Sequence, residues 1–317
     1  MPHVLIAGKV HPAGLARMQG AEGFTFDYVE DLSETSYAPL IGKADALVIR
    51  TQPLSAATIA KASRLRLVSR HGVGYDSVDL AALNHRRIPL CIAGDTNSLS
   101  VAEHAMTLIL ACAKQVLSAD RAVRGGDWKW RDRLEASEVS GRRLLIVGYG
   151  RAGARLARMA EGFDMDVRAF DPYLAARGWP PGKVAPVATL AEGLAWADIV
   201  SLNVPKAETP LIGLQEFAQL KPGAIVVNTS RGGVMDEAAL AEALNEGRVA
   251  AAGLDVFDDE PPATSHPLLA FDQVILSPHI AGVTRQAAER MAVTSVQNVI
   301  DFFAGRLDVS LIVNRNF

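Results

Sequence analysis

The feature that most constrains this chain is a glycine-rich hexapeptide that directly follows a run of apolar residues. Gly148-Tyr149-Gly150-Arg151-Ala152-Gly153 comes after residues 144–147, whose unbroken apolar run is typical of a parallel strand buried on both faces. Apolar side chains at helical spacing follow the motif within residues 156–160. A strand, a glycine-rich turn and a helix in this order predict the phosphate-binding unit of a dinucleotide-binding sheet.

Each glycine of this motif has a physical task in such a unit. Gly148 permits the tight turn, Gly150 lets the backbone approach a pyrophosphate, and Gly153 allows the helix to pack closely on the strand. The N-terminus of the helix offers N–H donors and the positive end of its dipole to the phosphates. The motif alone is a weak signal, so the strand and helix around it are needed for the prediction.

An acidic residue ends the next predicted strand. Asp171 lies about 20 residues after the motif, where an acid accepts hydrogen bonds from the hydroxyls of the adenosine ribose. Because a 2′-phosphate would meet like charge there, the predicted cofactor is NAD, and NADP is less favoured. Arg168 and Arg177 are close in the sequence and leave NADP open as the alternative.

Strand and helix patterns alternate along the chain. This alternation predicts an α/β fold with parallel sheets, and the six strands of the second series match a doubly wound dinucleotide-binding sheet. The predicted strands are residues 4–7, 46–49, 65–69 and 90–93 in the first series, and 144–147, 167–170, 199–202, 225–228, 253–256 and 274–276 in the second.

Four helices with clear signals complete the pattern. They are predicted at residues 55–62 with Ser55 as N-cap, at 100–124, at 237–245 and at 286–303. We expect the last helix to return to the first domain. A chain of 317 residues suits two domains. The predicted organisation is therefore a discontinuous substrate domain, residues 1–98 plus 285–317, and an NAD-binding domain, residues 99–284.

Composition argues against several classes of protein. The formal net charge is -3, which gives no indication of a nucleic-acid partner. The two cysteines lie among apolar residues and supply neither a disulfide framework nor a cysteine-based metal site, so no metal is predicted. The longest apolar stretch, residues 101–117, is too short and too polar to span a bilayer, and the N-terminus lacks a secretory pattern. A cytoplasmic location without membrane association is expected.

Three polar segments follow predicted strands of the second series: residues 228–233, 255–262 and 277–282. Open α/β sheets bind ligands at the carboxyl ends of their strands, so these segments are candidates for the site. They supply Arg231, Glu260 and His279. An arginine fork binds a carboxylate, a histidine exchanges a proton with a carbonyl or alcohol oxygen, and a carboxylate partner orients the imidazole.

This trio is what hydride transfer between a nicotinamide and a 2-keto acid requires. Each residue also has a plain structural reading. Arg231 could be a surface residue, Glu260 could be a solvated member of an acidic loop, and His279 could be a hydrogen-bonding residue at a strand end. Their joint occurrence beside a dinucleotide-binding pattern favours the catalytic reading, which predicts an NAD-dependent oxidoreductase.

At these residues the sequence resembles the D-isomer-specific 2-hydroxyacid dehydrogenase family, which includes phosphoglycerate dehydrogenases and hydroxypyruvate and glyoxylate reductases. The matching motifs cover nearly the whole chain and lie at residues 71–76, 97–98, 101–103, 148–153, 221–224, 228–233, 253–261 and 278–282. The resemblance implies two Rossmann-like domains with the active site in a cleft between them. It also implies a homodimer, with the helix near residues 101–117 contributing to the interface.

The resemblance further assigns individual residues. It implies that Arg231, Glu260 and His279 form the catalytic set, with Arg231 also binding substrate. Residues implied for the cofactor are Arg151 and Ala152 at the pyrophosphate, Val204 and Pro205 at the adenosine end, Thr229 near the nicotinamide, Asp255 at its carboxamide, and Gly282. Residues implied for the substrate carboxylate are Arg50 and the backbone of His71, Gly72, Val73 and Gly74.

Some alternatives stay open at this stage. The family often has Pro-Leu where this chain has Pro205-Lys206, which weakens the assignment of adenosine contacts there. Some relatives of this fold are NAD-sensing corepressors, so a binding protein is the alternative function. The substrate is open among hydroxypyruvate, glyoxylate and phosphoglycerate types, and the sequence does not encode the physiological direction.

Overall fold

The structure, a computed structural model, describes residues 1–315. Asn316 and Phe317, which belong to the predicted substrate domain, lie outside the described residues. The chain divides into two compact units, the first formed by Met1–Asn97 with Val283–Phe317 and the second by Ser98–Gly282. What each unit binds stays a prediction.

Twelve strands lie within residues 1–315. They are β1 (His3–Ala7), β2 (Thr25–Val29), β3 (Ala46–Ile49), β4 (Leu67–Arg70), β5 (Leu90–Cys91), β6 (Arg143–Val147), β7 (Asp166–Phe170), β8 (Ala185–Pro186), β9 (Ile199–Leu202), β10 (Ala224–Asn228), β11 (Val249–Leu254) and β12 (Val274–Leu276).

Twelve α-helices and four short 3₁₀-helices complete the described fold. The α-helices are α1 (Pro12–Gln19), α2 (Glu34–Tyr37), α3 (Ala56–Lys61), α4 (Leu80–His85), α5 (Ser98–Lys114), α6 (Val116–Arg124), α7 (Arg151–Glu161), α8 (Pro172–Arg177), α9 (Leu190–Trp196), α10 (Leu214–Gln219), α11 (Glu237–Asn245) and α12 (Arg285–Phe303). The 3₁₀-helices are Ala38–Lys43, Trp128–Arg133, Pro267–Ala270 and Val309–Leu311.

The first unit contains a five-stranded parallel sheet in the order β2-β1-β3-β4-β5. Four of these strands were predicted, and β2 was missed. It is an edge strand that pairs only with β1, and none of its five residues is buried. A strand without a buried face has no need of the apolar run on which the prediction relied.

The second unit contains a seven-stranded parallel sheet in the order β12-β11-β10-β9-β6-β7-β8. The predicted α/β class with two Rossmann-like parallel sheets is confirmed. The edge strand β8 has only two exposed residues and left no sequence pattern. A strand was predicted at residues 253–256, but β11 spans residues 249–254. Most of its residues are small, and they let the strand pack closely on α5. A Cβ added to Gly253 would lie 2.8 Å from the Cβ of Leu108.

The predicted helix at residues 100–124 is wrong in its continuity. Gln115 has a φ of 53°, in the left-handed region, and separates α5 from α6. The Gln115 N–H donates to the carbonyl of Cys112, which closes α5, and its own carbonyl accepts from Ala119 as α6 begins. The two helices differ in burial: α5 buries nine residues, whereas α6 buries none.

The predicted N-cap at Ser55 is confirmed, and the structure shows a second cap, at Thr284, that was not predicted. The Ser55 hydroxyl accepts from the N–H of Thr58 at the start of α3, and Thr284 caps α12 through the N–H of Ala287. The last helix returns to the first unit and packs on α1 at close range. A Cβ added to Gly14 would lie 2.8 Å from the Cβ of Ala292.

Each sheet has one place where the strand order reverses, between β1 and β3 in the first and between β6 and β9 in the second. Such switch points open a crevice at the carboxyl ends of the strands, where ligands bind. The loops there contain Gly8 and Arg50 in the first sheet, and Gly148 and Asn203 in the second. Within residues 1–315 no helix is long and apolar enough to cross a membrane, and no cluster of metal-binding side chains occurs.

Candidate active site

The glycine-rich turn between β6 and α7 has the geometry that its sequence predicts. Gly148 has a φ of 93°, and a Cβ there would lie 2.5 Å from the carbonyl oxygen of Asn203, directly after the neighbouring strand β9. A Cβ on Gly153 would lie 2.2 Å from the Gly148 carbonyl oxygen. Packing therefore requires these two glycines, whereas a Cβ on Gly150 would meet no atom within 4 Å.

The open space at Gly150 coincides with the start of α7. Gly150 is the N-cap residue, so no side chain caps this helix, and its first-turn N–H groups face the turn without a capping partner. Arg151 is exposed and Ala152 is half-buried. A helix N-terminus of this kind is an anion site, and the turn fits a pyrophosphate.

Two buried polar atoms near this edge also lack partners. Asn203 Oδ1 and Thr229 Oγ1 have no hydrogen-bond partner in the described structure, although Thr229 is only 6% exposed. Such atoms cost free energy unless a ligand or water satisfies them. Together with the uncapped helix, these two atoms fit a polar, phosphate-containing cofactor. The contact between Thr229 and a nicotinamide stays a prediction.

Asp171 lies at the end of β7 and serves the fold as well as the predicted site. Its Oδ1 accepts from the N–H groups of Tyr173 and Leu174, both at 3.0 Å, and so caps α8. Its Oδ2 accepts from the N–H of Tyr149 in the glycine-rich turn at 2.9 Å. A carboxylate has about four acceptor positions, so one is left for a ribose hydroxyl.

The two arginines that left NADP open are held by aromatic rings. The guanidinium of Arg168 lies 4.5 Å from the ring centroid of Trp196, and that of Arg177 lies 4.1 Å from the ring centroid of Tyr173. Val204 is half-buried against the core and lies beside Gly148, whereas Pro205 and Lys206 are exposed.

His279 and Glu260 form a direct pair. His279 Nδ1 lies 2.7 Å from Glu260 Oε2, with 48% and 37% of the two side chains exposed. The other carboxylate oxygen of Glu260 accepts from the N–H of Phe257. These contacts leave Nε2 as the nitrogen of His279 without a protein partner among residues 1–315.

The backbone of His279 is unusual, since its φ is 52°. A left-handed conformation costs a non-glycine residue roughly 1–2 kcal/mol, so the surrounding structure must hold it. The His279 N–H donates to the carbonyl oxygen of Asp255 at 2.8 Å. The carboxylate of Asp255 accepts from Ile280 N–H at 2.9 Å and Ala281 N–H at 2.8 Å. Asp255 thus anchors the segment that carries His279 and leads to Gly282.

Asp255 was predicted to contact the nicotinamide carboxamide, and its side chain is completely buried, with 0% exposed. Its third donor is the Ser277 hydroxyl at 2.6 Å from Oδ1. A further contact is with His104, whose Nε2 lies 2.9 Å from Ser277 Oγ and 3.6 Å from Asp255 Oδ1. From the sequence, His104 lies on or near the apolar face of the predicted helix and is interpreted as a structural histidine. Ser277 has no role of its own there, and its position directly before Pro278-His279 is the signal that could have shown one.

Arg231 lies in a turn that is stabilised by hydrogen bonds between its own residues. Asn228 Nδ2 donates to the Arg231 carbonyl, and Asn228 Oδ1 accepts from the Ser230 hydroxyl at 2.7 Å. Arg231 is half-buried, and its Nη1 donates to the Ser230 carbonyl. A Cβ on Gly232 would lie 1.7 Å from the carbonyl oxygen of Phe257, so this turn packs against the segment that leads to Glu260.

The structure therefore brings the three predicted segments together at one edge of the second sheet. Segment 228–233 packs on segment 255–262 through Gly232, and segment 277–282 is joined to Asp255 and Glu260. The glycine-rich turn follows β6 and the Arg231 segment follows β10, which are both paired with β9.

In the first unit, the predicted substrate residues follow β3 and β4, which are adjacent strands. Arg70 holds their loop, because its Nε donates to the Gly74 carbonyl at 2.7 Å and its Nη1 donates to the carbonyls of Ile49 and His71. Arg50 is half-buried, and its guanidinium has no partner among residues 1–315.

His71 is deeply buried in the same loop, where Gly72 is also buried and Val73 and Gly74 are half-buried. Only 6% of His71 is exposed, and Nε2 has no hydrogen-bond partner in the described structure. Burial lowers the pKa of His71 to about 4, and nearby Arg50 and Arg70 act in the same direction. His71 is therefore neutral at pH 7.

Comparison with known proteins adds a family match. Residues 106–281 match the model of the D-isomer specific 2-hydroxyacid dehydrogenase NAD binding domain. The chain is 35% identical over 307 residues to a D-3-phosphoglycerate dehydrogenase of Archaeoglobus fulgidus, covering 95% of this chain and 57% of the relative. It is 36% identical over 320 residues to a glyoxylate reductase of Korarchaeum cryptofilum, covering 98% of this chain and 96% of the relative.

Solved structures show the same similarity. A protein from Thermus thermophilus superposes with a TM-score of 0.89 at 30% identity, covering 98% of this chain and 99% of that one. An NADPH-dependent glyoxylate/hydroxypyruvate reductase from Sinorhizobium meliloti superposes with a TM-score of 0.87 at 27% identity, covering 100% and 99%. The chain spans 57% of the length of the phosphoglycerate dehydrogenases that it matches.

Proposed function

Because this chain belongs to the D-isomer specific 2-hydroxyacid dehydrogenase family, we propose that it transfers a hydride between NAD(H) and a small D-2-hydroxy acid or 2-keto acid. The observation that carries the proposal is the 2.7 Å contact between His279 and Glu260, in the same unit as an uncapped helix that suits a pyrophosphate. A structural histidine at a strand end needs no carboxylate partner on another loop.

The roles of the catalytic residues follow from their contacts. A bound nicotinamide supplies or accepts the hydride. Glu260 holds Nδ1 of His279, so Nε2 is the atom that gives a proton to the substrate oxygen during reduction and takes it back during oxidation. Arg231 offers its guanidinium to the substrate carboxylate, which fixes the keto carbon and polarises the carbonyl.

We assign the substrate carboxylate additional contacts from the first unit. Arg50 supports this assignment because its charge has no partner among residues 1–315 and lies at the switch point of its sheet. Arg70 holds the backbone of residues 71–74. The N–H groups of His71 and Gly72 donate to the carbonyls of Ile49 and Arg70, so the N–H groups of Val73 and Gly74 are the ones proposed for the carboxylate. Hydroxypyruvate, glyoxylate and 3-phosphoglycerate types are the proposed substrates.

NAD is the proposed cofactor, and the preference over NADP rests on Asp171. Its carboxylate lies at the end of β7 and beside the glycine-rich turn, where a 2′-phosphate would meet a negative charge. One structural neighbour is NADPH-dependent and another was solved with NAD, so both cofactors occur among proteins of similar structure. The other proposed cofactor contacts are those assigned from the sequence, including Val204, Pro205, Asp255 and Gly282.

We also propose a cytoplasmic homodimer. Large apolar side chains are exposed on α6, where Val116, Leu117 and Val123 are 48%, 45% and 59% exposed. A second copy covering α6 and the end of α5 would bury them. Light scattering of the purified protein tests this, and a monomer at micromolar concentration would contradict it.

The names of the relatives favour catalysis over the NAD-sensing corepressor alternative, since they are dehydrogenases and reductases. The test is a panel of 2-keto acids with NADH, comprising glyoxylate, hydroxypyruvate, pyruvate and phosphohydroxypyruvate. Oxidation of NADH with at least one of them is expected. NADH binding without turnover of any 2-keto acid would contradict the proposed function.

A further inference from the structure

One buried carboxylate holds the whole segment that carries His279. Asp255 is 0% exposed; its Oδ1 accepts from Ile280 N–H and its Oδ2 from Ala281 N–H. Ser277 lies at the start of the segment, with Oγ 2.6 Å from Oδ1. The N–H of His279 itself donates to the Asp255 carbonyl oxygen. The left-handed backbone of His279 is held by this contact and by a second one from the same N–H to the Ser277 carbonyl oxygen at 3.1 Å.

Donor and acceptor capacities fix the direction of the hydrogen bonds around Ser277. Both oxygens of Asp255 accept main-chain N–H groups, as a carboxylate does. The Ser277 hydroxyl then gives its one proton to Asp255 and keeps only lone pairs for its other neighbour. That neighbour is Nε2 of His104, at 2.9 Å. His104 must therefore carry a proton on Nε2 and act as the donor.

His104 is also the basic side chain closest to this buried charge. Its Nε2 lies 3.6 Å from Asp255 Oδ1, and no other ion pair with Asp255 occurs within the part of the chain that the structure describes. Burying a carboxylate is costly unless surrounding donors compensate it. The imidazole is 22% exposed and is held on α5, a long helix packed on β10 and β11.

We propose that His104 is a positioning residue of the active site. Its Nε2–H orients the Ser277 hydroxyl toward Asp255, and this chain of hydrogen bonds fixes the segment that places His279 beside Glu260. His104 touches neither of these two residues and acts through Ser277 and Asp255. The inference rests on the proposed function, because it gives His279 a role in proton transfer.

The proposal predicts a specific defect when the donor is lost. Without the Nε2–H of His104, the Ser277 oxygen loses the donor that fixes its position, and its hydrogen bond to the Asp255 carboxylate weakens. The amides of Ile280 and Ala281 then open more often, and His279 is displaced from its productive position. A displacement of about 1 Å at a reacting group lowers turnover roughly 100-fold.

Two substitutions separate hydrogen bonding from packing. His104→Leu fills a similar volume without a donor, whereas His104→Gln retains an N–H that can reach Ser277. We expect His104→Leu to lower kcat roughly 10- to 100-fold, with the Kd for NADH unchanged within about twofold, and His104→Gln to recover most of the kcat. Thr107→Ala on the same helix is the control, because the Thr107 hydroxyl bonds only the Glu103 carbonyl.

Two further readouts need neither cofactor nor turnover. Nitrogen NMR of ¹⁵N-histidine-labelled protein should show His104 with its proton on Nε2. Hydrogen exchange of the Ile280 and Ala281 amides should be at least about tenfold faster in His104→Leu, while amides of β6 keep their protection. In His104→Gln both amides should exchange as in the wild type.

Several outcomes would overturn the proposal. An unprotonated Nε2 of His104 in the wild type would reverse the assigned direction of the hydrogen bonds. Equal exchange and kcat in the Leu and wild-type proteins would remove His104 from the positioning chain. Equal losses of kcat in His104→Leu and His104→Gln would show that His104 acts through its packing and not through a hydrogen bond. If the wild type turns over no 2-keto acid, the proposed function fails, and the NMR and exchange results still decide the hydrogen-bond chain.

Discussion

The Nδ1 atom of His279 lies 2.7 Å from Oε2 of Glu260, and this contact joins two loops whose residues are 19 positions apart. The segment 255–262 fastens both residues: the Glu260 carboxylate accepts the N–H of Phe257, and the main-chain N–H of His279 donates to the Asp255 carbonyl. The pair is therefore built by main-chain contacts before any ligand binds. Proton transfer at Nε2 needs this arrangement, which the following predictions test.

Replacing His279 removes the group that exchanges a proton with the substrate. We expect His279→Ala to lower kcat by about 10²–10⁴-fold, since this is the usual contribution of a general acid or base. Steady-state kinetics with the best 2-keto acid measures it, and NADH fluorescence should show unchanged cofactor affinity. His85→Ala, at an exposed histidine of α4, is the matched control. Full activity in His279→Ala would remove His279 from the mechanism.

Replacing Glu260 separates its charge from its hydrogen bond. Glu260→Gln can still accept from Nδ1 of His279, so the imidazole stays oriented but loses a negative neighbour. We expect a loss in kcat of about 10-fold for Gln and a larger loss for Glu260→Ala. Kinetics of the two variants with one substrate provides the measurement. An Ala variant as active as the Gln variant would show that orientation by Glu260 is unimportant.

Replacing Asp171 tests the cofactor preference against its role in the fold. Asp171→Ala loses the cap of α8, which costs about 1 kcal/mol, and also removes the acid from the ribose position. Asp236→Ala is a matched control, because Asp236 caps α11 through the N–H groups of Ala238 and Ala239. Both variants should lose the stability of a helix cap in thermal unfolding, and Asp171→Ala should lose more, because it also removes the acceptor of the Tyr149 N–H.

Only Asp171→Ala should change cofactor use. We expect its KM for NADH to rise and its ratio of kcat/KM values for NADH over NADPH to fall by roughly tenfold or more, since a lost charged hydrogen bond is worth about 1.5–3 kcal/mol. An unchanged ratio would mean that another group selects the cofactor.

The glycine-rich turn separates a packing role from a binding role. In Gly153→Ala the new Cβ would meet the Gly148 carbonyl oxygen at 2.2 Å, so we expect a lower Tm. In Gly150→Ala the Cβ would enter open space at an allowed φ of -77°, so the Tm should be nearly unchanged while the Kd for NADH rises. Calorimetry and fluorescence titration measure the two effects. Wild-type NADH affinity in Gly150→Ala would contradict a pyrophosphate at this turn.

The buried His71 makes stability depend on pH. Its pKa is about 4 in the folded protein against an ordinary value of 6.5, so the unfolded chain binds the proton more tightly. The associated stability is fully present above pH 6.5 and is lost as the pH falls towards 4. A difference of this size is worth about 3 kcal/mol.

Urea unfolding at pH 7.5 and pH 5, in the wild type and in His71→Leu, measures this dependence. The free energy of unfolding should fall less with acid in the variant than in the wild type. The exposed His85→Leu serves as control and should keep the wild-type dependence. Parallel curves for all three proteins would contradict a buried neutral His71.

Features that depend on buried apolar runs could be predicted from the sequence. Strands β3 and β9 have the predicted limits, because all their side chains are buried in sheet interiors. The edge strand β12 also has the predicted limits, with Val274 buried. The edge strands β2 and β8 could not be predicted, since they carry no buried face. The break at Gln115 could not be predicted either, because it places an ordinary residue in a left-handed conformation.

The candidate site shows the same division. Arg231, Glu260 and His279 could be found because parallel strands bring their carboxyl ends to one edge, so segments far apart in sequence converge. The contacts that fasten them could not be found. Ser277 and His104 are 173 positions apart and meet only because α5 packs on the sheet. The role of Asp171 as a helix cap likewise needs coordinates.

The His279–Glu260 pair is proposed to serve the reduction of a 2-keto acid to its D-2-hydroxy acid. The most direct measurement is chiral analysis of the product formed from pyruvate, hydroxypyruvate or another 2-keto acid with NADH, for the wild type and for His279→Ala. The account predicts the D-enantiomer from the wild type, in amount equal to the NADH consumed, and strongly reduced product from the variant. An L-enantiomer, or equal product from both proteins, would contradict it.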